Sequence, residues 1–109
     1  MTLSECREKV QGQWAVPGDG AIEFHDVVVS DLMSDVLVAE RDDFLLVTSL
    51  TSEQVLRTAD IVDARAILIT NGKHPQRAME TLARQQGVPV LMTAMNTFDA
   101  CRALADCKK

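Results

Sequence analysis

Three short apolar runs dominate the second half of the chain: Phe44-Leu45-Leu46-Val47-Thr48, Ala66-Ile67-Leu68-Ile69-Thr70 and Val88-Pro89-Val90-Leu91-Met92. None alternates with polar residues, so each reads as a strand covered on both faces. Between them, apolar residues recur at helical spacing: Val55, Leu56, Ala59 and Val62, then Ala78, Met79, Leu82 and Ala83. A last helix, capped by Asn96 or Thr97, is expected to turn Phe98, Cys101, Leu104 and Ala105 inward. Strand–helix alternation of this kind demands right-handed crossovers and a mostly parallel sheet. The expected fold class is therefore α/β: three layers, α/β/α, around a mainly parallel or mixed sheet of about five strands.

The first forty residues break the repeat. Thr2 or Ser4 can cap a helix whose apolar face is Leu3, Cys6 and Val10, ending at Gly12. Residues 13–16 read as a short strand, closed by the turn Pro17-Gly18-Asp19-Gly20. Residues 22–29 read as another strand, followed by a helix over 32–39 capped by Ser30 or Asp31. Later boundaries follow the same chemistry. Thr51-Ser52-Glu53-Gln54 resembles a capping box, Asn71-Gly72 a turn, Pro75 a helix first turn and Gly87 a helix stop. Pro89 places the last strand at an edge, or marks its start. Lys108-Lys109 reads as a tail.

The chain has 109 residues, enough for one domain, taken as 1–109. At 47% hydrophobic and 4% aromatic the core must be aliphatic. The net charge of −5 is dispersed, without a basic stripe, so nucleic acid is not expected as a partner. No apolar run is long enough for a membrane span, and the charged N-terminus is not a secretory signal. Three cysteines without such a signal suit reduced thiols in a cytoplasmic protein.

Catalytic patterns fail one by one. Gly72-Lys73-His74 lacks both the upstream glycine and the Ser or Thr of a phosphate-binding P-loop. Gly18-Asp19-Gly20 starts a dinucleotide fingerprint, but no third glycine or helix follows. Two histidines and no C-x-x-C make a poor zinc site. Cys6 could be a nucleophile near a helix start, yet it also belongs to an apolar face, while Cys101 reads as a small core residue and Cys107 as fraying with the tail. Asp31 with Asp35, and Asp42 with Asp43, could be paired carboxylates, but caps and solvated positions explain them more simply. No catalytic residue, cofactor or metal is expected. What remains is positional: ligands of parallel sheets gather beyond the strands' carboxyl ends. That singles out Ser30, Asp31, Ser49, Thr51, Asn71 and Gly72 as candidate ligand-binding residues.

Several segments together resemble the DRTGG domain family: Val29-Ser30-Asp31-Leu32-Met33-Ser34-Asp35-Val36-Leu37, Ala66 through Gly72, Gly87-Val88-Pro89-Val90-Leu91, and the stretch from Thr93 to Ala100 with Phe98. The signature Asp-Arg-Thr-Gly-Gly itself is missing; the corresponding region reads Ala21-Ile22-Glu23-Phe24-His25-Asp26-Val27-Val28. The resemblance implies a fold like the N-terminal domain of HPr kinase/phosphorylase and a non-catalytic role. It also implies settings beside CBS domains, inside long phosphotransacetylases, or accompanying iron-only hydrogenases. The first expectation is thus a regulatory or scaffolding domain, not an enzyme, that binds a partner protein in a metabolic or hydrogenase-linked system. It would self-associate as a homo-oligomer, a dimer being favoured, through Trp14, Val27 to Val29 and residues 33–38. The alternative is a sensor of a nucleotide or other metabolite; a small enzyme using Cys6 or His74 comes last.

Overall fold

The computed structural model describes residues 1–107, so the expected tail Lys108-Lys109 lies outside it. In chain order the elements are α1 (Leu3–Lys9), β1 (Gln13–Val16), β2 (Asp26–Val29), α2 (Met33–Leu37), β3 (Phe44–Thr48), α3 (Gln54–Val62), β4 (Ala66–Ile69), α4 (Arg77–Gln86), β5 (Val90–Met92) and α5 (Thr97–Ala103), with a 3-10 turn over Ala105–Cys107. The strands form one five-stranded sheet in the order β1-β5-β4-β3-β2. Strands β2 to β5 run parallel, and β1 joins the β5 edge antiparallel. The sheet is therefore the mixed one that the sequence suggests.

The central strands are continuous apolar runs because each side chain meets a helix layer. All residues of β3 and β4 are buried. Strand pleating sends neighbours to opposite faces. Phe44, Leu46, Ile67, Ile69 and Val90 pack with Met33 and Val36 of α2, Val55, Leu56 and Ala59 of α3, and Met79 and Ala83 of α4. Leu45, Val47, Ala66, Leu68 and Leu91 pack with Leu3, Cys6 and Val10 from the first helical segment, and with Ala100, Leu104 and Cys107 from the last. These two cores are the three layers.

Local chemistry explains where the boundaries fall. Thr2 caps α1 in a full capping box with Glu5. Strand β2 is shorter than residues 22–29, because the backbone N–H of Phe24 donates to the Met1 carbonyl at 2.9 Å instead of joining the sheet. Helix α2 is shorter than expected and has no side-chain cap, since Asp31 is engaged elsewhere. The capping box at residues 51–54 does not form either: Glu53 stands at the cap of α3 without a side-chain capping bond, its carboxylate accepting from Arg57 at 3.1 Å instead. Gly87 stops α4 in the left-handed region, φ 70°. Pro89 marks a strand start and not an edge, since β5 lies between β1 and β4.

Four side chains depart from expectation. In the seven-residue α5, Ala100 is the buried residue, and Leu104 continues that stripe one turn on. Phe98 lies about 200° round the helix from Ala100, and is 73% exposed. Ala105 and Ala78 are exposed as well, whereas Cys107, expected to fray, is buried under the second core. Replacing Leu46 with Ala removes a side chain from the fully buried central strand and should cost about 3 kcal/mol in urea unfolding. Phe98→Ala should stay within about 0.5 kcal/mol of the parent.

Candidate functional site

Strands β2, β3, β4 and β5 follow one another in the sheet as they do in the chain. Right-handed crossovers that always step the same way place every connecting helix on one face. Hence α2, α3 and α4 share the first core. The connection after β5 leaves for the other face, where residues of α5 pack. The carboxyl ends of β4 and β5 are therefore where neighbouring connections diverge, the position at which open α/β sheets form a crevice.

The residues there are tightly bonded. The Thr70 and Thr97 hydroxyls share a hydrogen bond of 2.8 Å, and Asn71 Nδ2 donates to both at 3.2 and 3.3 Å. The Asn71 backbone N–H donates to the Met95 carbonyl at 2.8 Å, and that of Gly72 to the Thr93 carbonyl at 3.0 Å. Both residues take left-handed backbone angles, φ 65° and 67°. Asn and Gly tolerate these best, which is why this pair makes the turn. The buried Thr93 hydroxyl donates to the Val10 carbonyl at 2.6 Å, fastening this end of the sheet to the end of α1.

Beside this network opens a cavity of about 230 Å3, lined by Gln11, Gln13, Gly72, Lys73, His74, Met92, Thr93 and Ala94. Its ionisable side chains are Lys73 and His74; no carboxylate lines it. In a chain of net charge −5 that is a local reversal of sign. Such a concavity suits a small anion.

A second cluster lies at the ends of β2 and β3. The Asp31 carboxylate accepts from the Ser49 backbone N–H at 2.7 Å, the Ser49 hydroxyl at 2.6 Å and the Thr48 hydroxyl at 2.9 Å. These bonds, the backbone one foremost, hold its pKa below the usual carboxylate value, with the nearby Lys73 charge adding to them. The carboxylate is thus committed to pinning the β3–α3 loop, and forms no acid–base pair with Asp35.

The sequence-derived candidates consequently separate. Asn71 and Gly72 stand in the crevice. Asp31 and Ser49 bind each other. The Ser30 hydroxyl closes a local turn on Leu32, accepting from its N–H at 3.0 Å. The Thr51 carbonyl accepts from the Gln76 N–H at 2.9 Å, tying the start of α3 to that of α4. Sequence reasoning missed Lys73, His74, Gln11 and Gln13 as cavity walls, and Thr48, Thr70, Thr93 and Thr97 as the bonding framework. A signal for three of these was present: each apolar run ends in, or is followed at once by, a threonine, at 48, 70 and 93. A hydroxyl closing a buried strand is placed to bond across to the neighbouring loops.

The cysteines are not placed for catalysis. All three are free. Burial, with Cys107 nearby, pushes the Cys6 thiol up to about 12. Burial also raises Cys101 and Cys107. Among the described residues, no group of three His, Cys, Asp or Glu side chains is placed to hold a metal ion, and no helix is long and apolar enough to cross a membrane.

A sequence profile of the DRTGG domain matches residues 17–107, and the chain belongs to that family. Among solved structures, the chain is similar to the CBS and DRTGG domains of the regulatory region of Clostridium perfringens pyrophosphatase, crystallised with the activator diadenosine tetraphosphate. The TM-score is 0.70 at 14% identity, over 98% of this chain and 47% of the other. At that identity the likeness is one of fold, and this chain spans about half the length of its neighbour. No curated protein matches the chain.

Asp31→Asn should destabilise the domain by about 1 kcal/mol at pH 7, the net worth of an exposed charge-assisted cluster. The native pKa is lowered, so the stabilisation is complete above the unfolded value near ~3.9 and is lost as pH falls toward the native one. The gap between parent and variant in urea unfolding should accordingly close below about pH 4. With a thiol reagent at mildly alkaline pH, buried Cys6 and Cys107 should stay unmodified in the native protein and half-exposed Cys101 react slowly. Unfolding should release all three.

Proposed function

We propose that this domain is a non-catalytic regulatory module that senses a small phosphate-bearing ligand, a nucleotide or related metabolite, in the crevice beyond β4 and β5. The observation that carries the reading is the carboxylate-free cavity walled by Lys73 and His74 at the point where the connections diverge. Membership of the DRTGG family supports it, as does likeness to a regulatory region crystallised with a nucleotide activator. The cavity of about 230 Å3 is smaller than a drug-sized pocket. It would take a phosphate-sized group and leave the rest of the ligand outside. An anion held there would draw the β4–α4 loop toward Gln11 and Gln13. Three free thiols fit a reducing cytoplasm.

Thermal-shift measurements with ATP, AMP, acetyl phosphate and inorganic phosphate test this. A bound ligand at a hundredfold excess over its Kd adds about 2.7 kcal/mol, a rise of about 10 °C or more in Tm for a domain of this size. Lys73→Gln should remove the shift while lowering the Tm of the free protein only slightly, through the lost attraction to exposed Asp31. If none of the four compounds raises Tm, the sensor reading fails.

Self-association, or docking of a partner protein, is a second reading favoured by a separate surface. Strand β2 is a sheet edge, and Val29, Leu32, Leu37 and Val38 on and beside it are 45%, 57%, 47% and 75% exposed. Exposed apolar groups along an unpaired edge invite pairing with another chain. Light scattering should then give a dimer mass at micromolar concentration, and Val38→Asp a monomer. A parent chain that is monomeric at high concentration would leave the edge without this role.

A further inference from the structure

We propose that two copies of this chain pair through β2, antiparallel, about a twofold axis perpendicular to the sheet, so that their two sheets become one. This pairing rests on the self-association reading above and fixes the partner as a second copy. The two edges of the sheet differ in how they are guarded. At the β1 edge the register shifts between Trp14 and Val16, and Pro17 follows at once. An interrupted register and a proline keep an edge from pairing with another chain. The β2 edge has neither: it pairs with β3 without a shift, and residues 26–38 contain no Pro, Lys or Arg. Its two carboxylates are engaged within the chain, Asp26 by Arg41 at 2.8 Å and Asp31 by Ser49 at 2.6 Å.

The distribution of apolar surface makes the partner a second copy. Of the six large apolar side chains exposed among the described residues, four are Val29, Leu32, Leu37 and Val38. Val29 and Leu32 lie at the carboxyl end of β2. Helix α2 then runs back toward the strand's amino end, as a crossover helix must, and carries Leu37 and Val38 with it. The edge thus has an apolar group at each end. A twofold axis through its middle, near Val27 and Val28, lays Val29 and Leu32 of each copy against the partner's Leu37 and Val38. Both copies of α2 fall on the same face, because an axis perpendicular to a sheet does not exchange its faces. Such a patch is complementary to itself, as a twofold interface requires. A lone foreign strand would pair the backbone but bring no helix to cover Leu37 and Val38. Residues 26–38 make up about an eighth of the chain and are mostly exposed. A specific dimer takes about 800 Å2 from each partner, a similar share of the 5931 Å2 that the chain exposes, so the segment is of the required size.

Light scattering, amide exchange and a pair of charge variants test this together. The parent should show twice the chain mass, and the outward-pointing amides of Asp26–Val29 should exchange more slowly as concentration rises and the edge is paired. Leu32→Lys and Val38→Asp both fall at exposed positions and should keep the fold, seen as an unchanged far-UV CD spectrum. Each variant alone should be a monomer. An equimolar mixture of the two should recover the dimer mass, because a mixed pair sets the new lysine against the new aspartate at one contact and keeps the parent residues at the other. Recovery requires position 32 to meet position 38 across the axis, which a general loss of surface hydrophobicity would not produce. A parent chain that stays monomeric at high micromolar concentration overturns both the self-association reading and this pairing, and leaves the edge to another protein. A parent dimer whose variants stay monomeric when mixed, or whose β2 amides gain no protection, overturns the pairing alone.

Discussion

Covering a sheet that is apolar on both faces is the constraint on which the rest of this structure depends. Three successive right-handed crossovers put α2, α3 and α4 on one face and leave nothing for the other. That second face presents Leu45, Val47, Ala66, Leu68 and Leu91, and it is closed by the two ends of the chain. Leu3, Cys6 and Val10 come from one end, Ala100, Leu104 and Cys107 from the other. The Lys9–Asp106 ion pair, 3.3 Å long, bridges them at the surface. Exposed as it is, it adds little energy; burial of the apolar side chains beneath it does the holding.

The same division of labour makes the crevice. Had α5 followed α4 onto the first face, β4 and β5 would end beneath one continuous helix layer. Because β5 must hand the chain to the uncovered face, its connection parts from that of β4. The thread from Thr70 through Asn71 to Thr97 spans the gap. A requirement of packing has thus produced the one place on the carboxyl side where loops separate, and the sign of charge there is opposite to that of the whole chain.

Much of this was legible in the sequence. Strands β3, β4 and β5, helices α3 and α4, and the short strand at residues 13–16 follow from apolar runs and turn residues, because burial on two faces leaves an unmistakable pattern in the central strands. The helix caps were less legible. A serine or an aspartate before a helix can cap it or bond elsewhere, and Asp31 chose Ser49, eighteen residues on. Phe98 misled for a related reason. An aromatic ring near helical spacing looks buried, but α5 is too short for a wide apolar face, and Ala100 and Leu104 fill the available contact. Of the site, Asn71 and Gly72 could be found from the rule of strand ends. Lys73, His74 and the glutamines could not, since their convergence depends on β1 pairing with β5 across more than seventy residues of chain.

The layer built from both ends has a consequence for how such a unit fits into a larger protein. Its first and last helical segments lie side by side, so entry and exit are neighbours on one surface. A domain of that shape can be spliced between two stretches of another polypeptide while separating them by little more than a short loop would. The junction would coincide with the layer that shields Leu45 and Leu68, so a displacement of the flanking segments would bear directly on the stability of the sheet.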